Sequence, residues 1–300
     1  MMKETKEIRD DQIRILGVVE RPSFFVRYKW IILIAVVVLV AALGILILVW
    51  VQKKEEASIA REPALFEPIT PIEEVVEEPH KLGSEVDEST RGFAELLDTL
   101  INDIPLRLYI PHNATMSLHI GRVNNADTTI IYVAQAADVR ADNGGIVGAF
   151  VLKGVPRAWG LSKKGFCASI EDKVIVGVAE NSPLFEEATE KEGYFFRQYP
   201  LVADGMLVEN GLKGKSIRRA ICDRNGEIFM VETGTAESMH DFAQALVDMG
   251  VDQSVYLVGS SAYGWAVDAT GTKHEFGDEN SYKGRRRMPK NTSYIVWRRK

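Results

Sequence analysis

Glycine and serine placed directly after a buried strand let backbone amides and hydroxyls approach a ligand, often an anionic one. The chain has this pattern where the apolar run Val255–Val258 leads into Gly259-Ser260-Ser261. The plainer reading of the same residues is a tight turn that closes a strand. Arg218 and Arg219 lie in a second strand-like run. Side chains alternate across a strand, so one of the two arginines faces any site formed there. Asp138, Glu232 and Asp268 fall at predicted strand ends, where a carboxylate either does acid–base work or sits solvated in a loop. Tyr199, Tyr263 and Trp265 are rings that stack on a ligand or pack in a core.

The elements that must position these residues are legible in outline. Ser238, with Asp241 three residues on, caps a predicted helix whose apolar face is Phe242, Ala245, Leu246 and Met249, and Gly250 ends it. A second helix is predicted from Ser182, with Pro183 in its first turn, to Gly193. Phe93, Leu96, Leu97, Leu100 and Ile101 follow helical spacing and predict another helix ending before Pro105. Strands are predicted at 107–110, 116–120, 128–133, 145–152, 173–178, 227–232, 254–258 and 293–297, with Asn/Asp/Gly turns among them. Many strands and few helices without regular alternation predict an α+β class, a mixed β-sheet domain with a few helices.

In front of that domain, Trp30–Val51 is apolar and uncharged with a tryptophan near each end. As a helix it would cross roughly 30 Å of hydrocarbon, so a single transmembrane helix is expected, with the lipid bilayer as its partner. The tail at 1–29 carries seven Lys and Arg residues (Lys3, Lys6, Arg9, Arg14, Arg21, Arg27 and Lys29) and is expected on the cytoplasmic side. Residues 52–86, rich in Glu and Pro, read as a flexible linker, and 87–300 as an extracytoplasmic domain, periplasmic or at the cell surface.

Composition narrows the partners. The net charge is -6, and outside the carboxyl end, where Lys283, Arg285, Arg286, Arg287 and Lys290 cluster, no basic face is apparent, so no nucleic-acid partner is expected. The five histidines stand apart, without metal-ligand spacing, and neither a metal nor a cofactor is expected. The two cysteines, Cys167 and Cys222, either pair, in an oxidising compartment, or stay as two buried free thiols, the reading that their apolar strand-like runs favour.

Three stretches together resemble the phosphodiester glycosidase domain family. Phe242-Ala243-Gln244-Ala245-Leu246, continued by Leu257-Val258-Gly259-Ser260-Ser261, is similar to the family's final motif. Ser216-Ile217-Arg218-Arg219-Ala220 resembles its arginine strand, and Gln198-Tyr199-Pro200-Leu201-Val202 with Gly205 resembles the segment before it. The chain departs from the pattern at Val258, where the family has Asp, at Ser260, where it has Gly, and at Ala134–Asp138, where it has Asn-Gly-Gly-Phe-Phe.

With the expected anchor at 30–51, the resemblance implies a membrane-held protein that hydrolyses or binds sugar-phosphodiester groups of the envelope, its partner being a sugar phosphate or an envelope glycan. It also implies roles for residues. A phosphate is a good leaving group, so arginine contacts to its oxygens matter more than an acid. Arg219 is the expected phosphate clamp, and Asp138, Glu232 and Asp268 are the catalytic carboxylate candidates. Arg218, Arg219, Gln198, Gly259, Ser260, Ser261 and Trp265 are the expected ligand contacts. Val258 supports the alternative of a catalytically inactive binding or scaffold module, because a valine neither exchanges a proton nor positions water.

Overall fold

The stretch expected to be the first helix is a strand. Phe93–Ile101 forms β1 and pairs in antiparallel register with β2 (Ile104–His112). Its leucine spacing serves two faces of a sheet, with Ala94 and Leu96 turned to one apolar cluster and Leu97 and Ile101 to another. The deciding residues are Asn102 and Asp103, both at positive φ (51° and 62°). That backbone suits a two-residue hairpin turn, and Asn and Asp tolerate it better than most residues.

The computed structural model describes residues 80–279 and 288–300. Strands dominate them. After β2 come β3 (Ala114–Ile120), β4 (Ile130–Gln135), β5 (Ala149–Leu152), β6 (Val155–Trp159), β7 (Gly165–Ile170) and β8 (Lys173–Val178). The short helix α1 (Leu184–Glu190) follows, then β9 (Tyr194–Gln198), β10 (Pro200–Ala203), β11 (Met206–Leu207), β12 (Arg219–Arg224) and β13 (Glu227–Thr233). The helix α2 (Met239–Asp248) precedes β14 (Gln253–Leu257), β15 (Gly264–Val267), β16 (Lys273–Phe276) and β17 (Ser293–Arg299). Helices of 7 and 10 residues against these strands correct the expected α+β class to a mostly β structure. No helix among the described residues is long and apolar enough to cross a membrane. The apolar run 30–51, the tail before it, most of the Pro/Glu-rich segment and the basic residues 283–287 lie outside the described residues.

The strands form three antiparallel sheets. The first runs β1-β2-β13-β12-β14-β10-β11, the second β16-β15-β4-β17-β3 and the third β6-β5-β9-β7-β8. Their inner faces share one core, in which Ile221, Met230 and Leu257 of the first sheet meet Tyr132 and Ile295 of the second and Phe150 and Phe196 of the third. The outer face of the first sheet is covered by α2, whose Phe242 and Leu246 pack on Leu108, Phe229 and Val231. Full burial of each such side chain is worth roughly 1.5–3 kcal/mol. Ser238 caps α2 by accepting from the Asp241 amide at 3.0 Å, as its spacing predicted. Helix α1 covers the third sheet in the same way. Cys167 and Cys222 are free and buried.

Candidate functional site

Strand register gathers chemistry at one end of the unit spanning Glu77–Lys300. β4 ends at Gln135, β9 at Gln198 and β14 at Leu257, while β12 begins at Arg219 opposite Leu257 and Glu232. The Val258 amide donates to the Gln135 carbonyl (3.0 Å), and the Tyr256 amide to the Tyr199 carbonyl (2.9 Å). The first of these bonds joins strand ends of different sheets and the second continues the β10–β14 pairing back to the end of β9, so side chains distant in sequence converge there.

A residue absent from the sequence reading, Lys163, lies in the middle of one polar cluster. Its side chain is 4% exposed, and its ammonium donates to the Asp138 carboxylate and to the Gln198 side-chain oxygen. It also lies over the Tyr199 ring, 4.2 Å from the centroid. Burial pulls the Lys163 pKa below the usual lysine range, and the Asp138 charge pulls the other way without prevailing. Gln198 is fully buried; its amide donates to the Ala136 carbonyl at 3.3 Å, which fixes its orientation. Asp138 is the member open to solvent, with 36% of its side chain exposed. The arrangement presents a carboxylate backed by a buried cation, which suits hydroxyl and anion recognition and proton exchange. The one local sign of Lys163 in the sequence is Gly165, where a Cβ would lie 2.7 Å from the Gln198 carbonyl oxygen. A glycine there permits the close approach that brings Lys163 to Gln198.

Arg219 forms the second cluster. Its guanidinium is 1% exposed, pairs with the Glu232 carboxylate, donates to the carbonyls of Ala262 (2.7 Å) and Val258 (3.3 Å), and stacks 4.5 Å from the Phe276 centroid. Its donors are therefore spent within the protein. The Gly259-Ser260-Ser261 turn is occupied in the same sense. The Gly259 amide donates to the Tyr256 hydroxyl (3.2 Å), and the Ser260 amide to the Ile217 carbonyl (2.8 Å). A Cβ at Gly259 would overlap the Ile217 carbonyl oxygen, so glycine is needed there for close backbone approach. The turn is a knot between strands, with Ser260 and Ser261 exposed on its outside.

The remaining sequence candidates lie elsewhere. Arg218 faces away from Arg219 and staples two loops, donating to the carbonyls of Glu237 (2.8 Å) and Gly214 (2.6 Å). Trp265 is 3% exposed and packs with Val133 and Val296 on the outer face of the second sheet, with the Lys273 ammonium 4.3 Å from its ring. Asp268 follows β15, whose Ala266 pairs with Tyr132 near the start of β4. Asp138 lies beyond the other end of β4, and strand rise puts roughly 20–27 Å between the two. The Asp268 carboxylate instead closes a hairpin. It accepts from the amides of Thr270 and Thr272 (both 2.9 Å) and bonds the His274 ring (2.7 Å). The Thr270 hydroxyl, and then His274, hold its pKa well below the usual carboxylate range. Among the described residues no group of three or more His, Cys, Asp or Glu side chains forms a metal site.

No protein-family model matches the chain, and no curated protein matches it in sequence. Among solved structures it is similar to the zebrafish N-acetylglucosamine-1-phosphodiester alpha-N-acetylglucosaminidase catalytic domain, auto-inhibited by its pro-peptide. The TM-score is 0.49 and the identity 11%, over 70% of this chain and 83% of that one. It is also similar to a hypothetical protein from Synechocystis, with a TM-score of 0.44 and 12% identity, over 70% of this chain and 62% of the other.

Proposed function

We propose that the domain binds sugar-phosphodiester groups at the strand-end site built from Asp138, Lys163, Gln198 and Tyr199. The observation that carries the reading is the buried Lys163 ammonium held against the partly exposed Asp138 carboxylate. The carboxylate accepts sugar hydroxyls, and the cation behind it supplies charge for a phosphate oxygen. Asp138 also ends the stretch that stands where the phosphodiester glycosidase pattern has its early motif. An envelope-side position, with an envelope glycan as partner, is part of the proposal and rests on the sequence alone, on the uncharged run 30–51 and the basic tail before it.

Binding is favoured over turnover by the carboxylate count. Glycosidic cleavage ordinarily uses two carboxyl groups about 5–9.5 Å apart. Here Glu232 is committed to Arg219, and Asp268 lies at the far end of β4. One observation supports hydrolysis as a second reading. The Asp138–Lys163 pair joins an accessible acid to a lysine of lowered pKa, and a phosphate leaving group asks little more.

Calorimetry of the full chain with a nucleotide sugar, alongside a product assay, separates the readings. Binding weakened about tenfold or more in Lys163→Met, without product, supports the binding module. Product formation lost in Asp138→Asn supports the hydrolase. If the unmodified chain does not bind the nucleotide sugar, the proposal fails.

A further inference from the structure

β1 is the outermost strand of the first sheet, so only one of its two edges has a partner. Its hairpin with β2 turns in two residues, Asn102 and Asp103, which makes Ile101 and Ile104 the first hydrogen-bonded pair. Bonded and non-bonded pairs alternate from there along an unbroken register. The N–H and C=O groups of Ala94, Leu96, Asp98 and Leu100 therefore turn away from β2. No group among the described residues bonds them. Ala94 is fully buried, so the open part of the edge runs from Leu96 to Leu100, and Leu100 is 63% exposed. Two other edges are blunted: β6 carries Pro156 and a bulge, and β11 is two residues long. β1 has nine residues with no proline and no bulge. A row of unpaired donors and acceptors of this kind is a template for an added strand.

The side chains say what that strand should carry. Register sets Asp98 opposite Arg107, Arg107 opposite Glu232 and Glu232 opposite Arg219, one row across four neighbouring strands on the inner face of the sheet. The charges alternate along the row. Arg219 pairs with Glu232, and Arg107 donates to both Asp98 carboxylate oxygens (2.6 and 2.7 Å). Side-chain exposure rises from 1% at Arg219 through 17% at Glu232 and 46% at Arg107 to 65% at Asp98. The row thus ends in solvent, at the open edge, on a carboxylate with acceptor capacity to spare. Leu96 and Leu100 flank Asp98 on the same face.

We propose that the open edge of β1 receives an extended segment of a partner protein, added as one more strand, with a lysine or arginine opposite Asp98 and apolar residues two positions to either side. The backbone of the segment answers the free N–H and C=O groups of Leu96, Asp98 and Leu100. Its basic residue continues the alternation of charge, and its apolar residues meet Leu96 and Leu100. A second copy of β1 fits less well, because the antiparallel pairing that sets Leu96 against Leu100 also sets Asp98 against Asp98. The inference goes beyond the sugar-phosphate reading and does not rest on it, since the charged row and the Asp138–Lys163 cluster share no residue.

The test titrates the full chain with two peptides, acetyl-Thr-Val-Thr-Lys-Thr-Val-Thr-amide and its twin with glutamate in place of lysine, followed by calorimetry and amide hydrogen exchange. The lysine peptide is expected to bind at least about fivefold more tightly than the glutamate one, and Asp98→Lys to reverse that order. The amides of Leu96, Asp98 and Leu100 are expected to exchange fast in the free chain and slowly with the lysine peptide, while those of Leu97, Thr99 and Ile101 are slow in both. Leu100→Pro removes an outward N–H that the fold does not use, so it should melt close to the parent and lose the peptide. Binding of neither peptide, equal affinity for the two, or unchanged binding in Leu100→Pro would overturn the proposal. A dimer of the peptide-free chain that Leu100→Pro dissolves would overturn it as well, by putting a second copy on the edge. If Leu100→Pro melts early, the charge reversal in Asp98→Lys and the exchange pattern decide.

Discussion

Arg219 and Ala262 are joined by a 2.7 Å hydrogen bond from guanidinium to carbonyl, across 43 residues of chain. With its contacts to Val258 and Glu232, this bond makes Arg219 the strut that holds the turn after β14 against the first sheet. Arg219→Ala would leave a largely buried carboxylate and two carbonyls without their donor. It is expected to cost about 3–5 kcal/mol, measured as a lowered urea midpoint. Arg219→Lys restores little of this, because a lysine cannot reproduce the planar fork. Stability unchanged in Arg219→Ala, with sugar-phosphate binding lost, would instead mark the arginine as a ligand clamp.

The same turn makes Gly259 intolerant of substitution. A methyl group there meets the Ile217 carbonyl oxygen, a backbone atom that cannot swing aside. Gly259→Ala is expected to destabilise by about 1–3 kcal/mol or more, as overpacking does. Gly205→Ala is the contrast, because nothing lies near its Cβ and its φ of 72° is the only obstacle. A thermal melt of each variant beside the parent measures the difference.

Asp268 stabilises the β15–β16 hairpin while ionised. Its pKa is lower in the folded chain than in the unfolded one, so the unfolded state takes up the proton first as pH falls. The contribution is complete above the ordinary aspartate range, near 4, and is lost as pH drops through the lower folded value. Asp268→Ala should cost about 1 kcal/mol at neutral pH, in line with other lost side-chain caps. Its deficit should shrink on titration toward pH 2, and a deficit independent of pH would count against the carboxylate.

Lys163 has the same sign at the alkaline end. Its folded pKa lies below 10.5, so in the window just under that value the unfolded chain binds more protons and stability rises with pH. Denaturation midpoints taken from neutral pH up to about 10.5 should show that rise in the parent and a flatter profile in Lys163→Met. Identical slopes would mean that the ammonium is not desolvated.

Both thiols should be silent in the native state. Burial pushes Cys222 up to about 12 and raises Cys167 as well, and neither reaches solvent. A thiol reagent such as iodoacetamide is expected to label neither in buffer and both in denaturant. Native labelling of either one would contradict this packing.

How far the chain could be read from its residues differs from element to element. The α2 helix was legible because its cap, apolar face and terminating Gly250 are local signals, satisfied within about a dozen residues. The strands of alternating or wholly apolar character, such as β4 and β14, were legible for the same reason. β1 was not, because leucines spaced for one face of a helix serve equally well on two faces of a strand. What settled it was the partner strand and the positive φ of Asn102 and Asp103. Sequence position marked Asp138 as an acid near a strand end, and the family resemblance marked Gln198 and Arg219 as ligand contacts, but neither carried anything about their partners. Only the tertiary structure decided that Arg219 spends its donors on backbone carbonyls and Glu232, that Asp268 lies at the far end of β4, and that Lys163 is buried beside Asp138. Local propensity and spacing act over a few residues. A buried charge is matched by partners 25 or 35 residues away, and their meeting depends on sheet register, which no single stretch encodes.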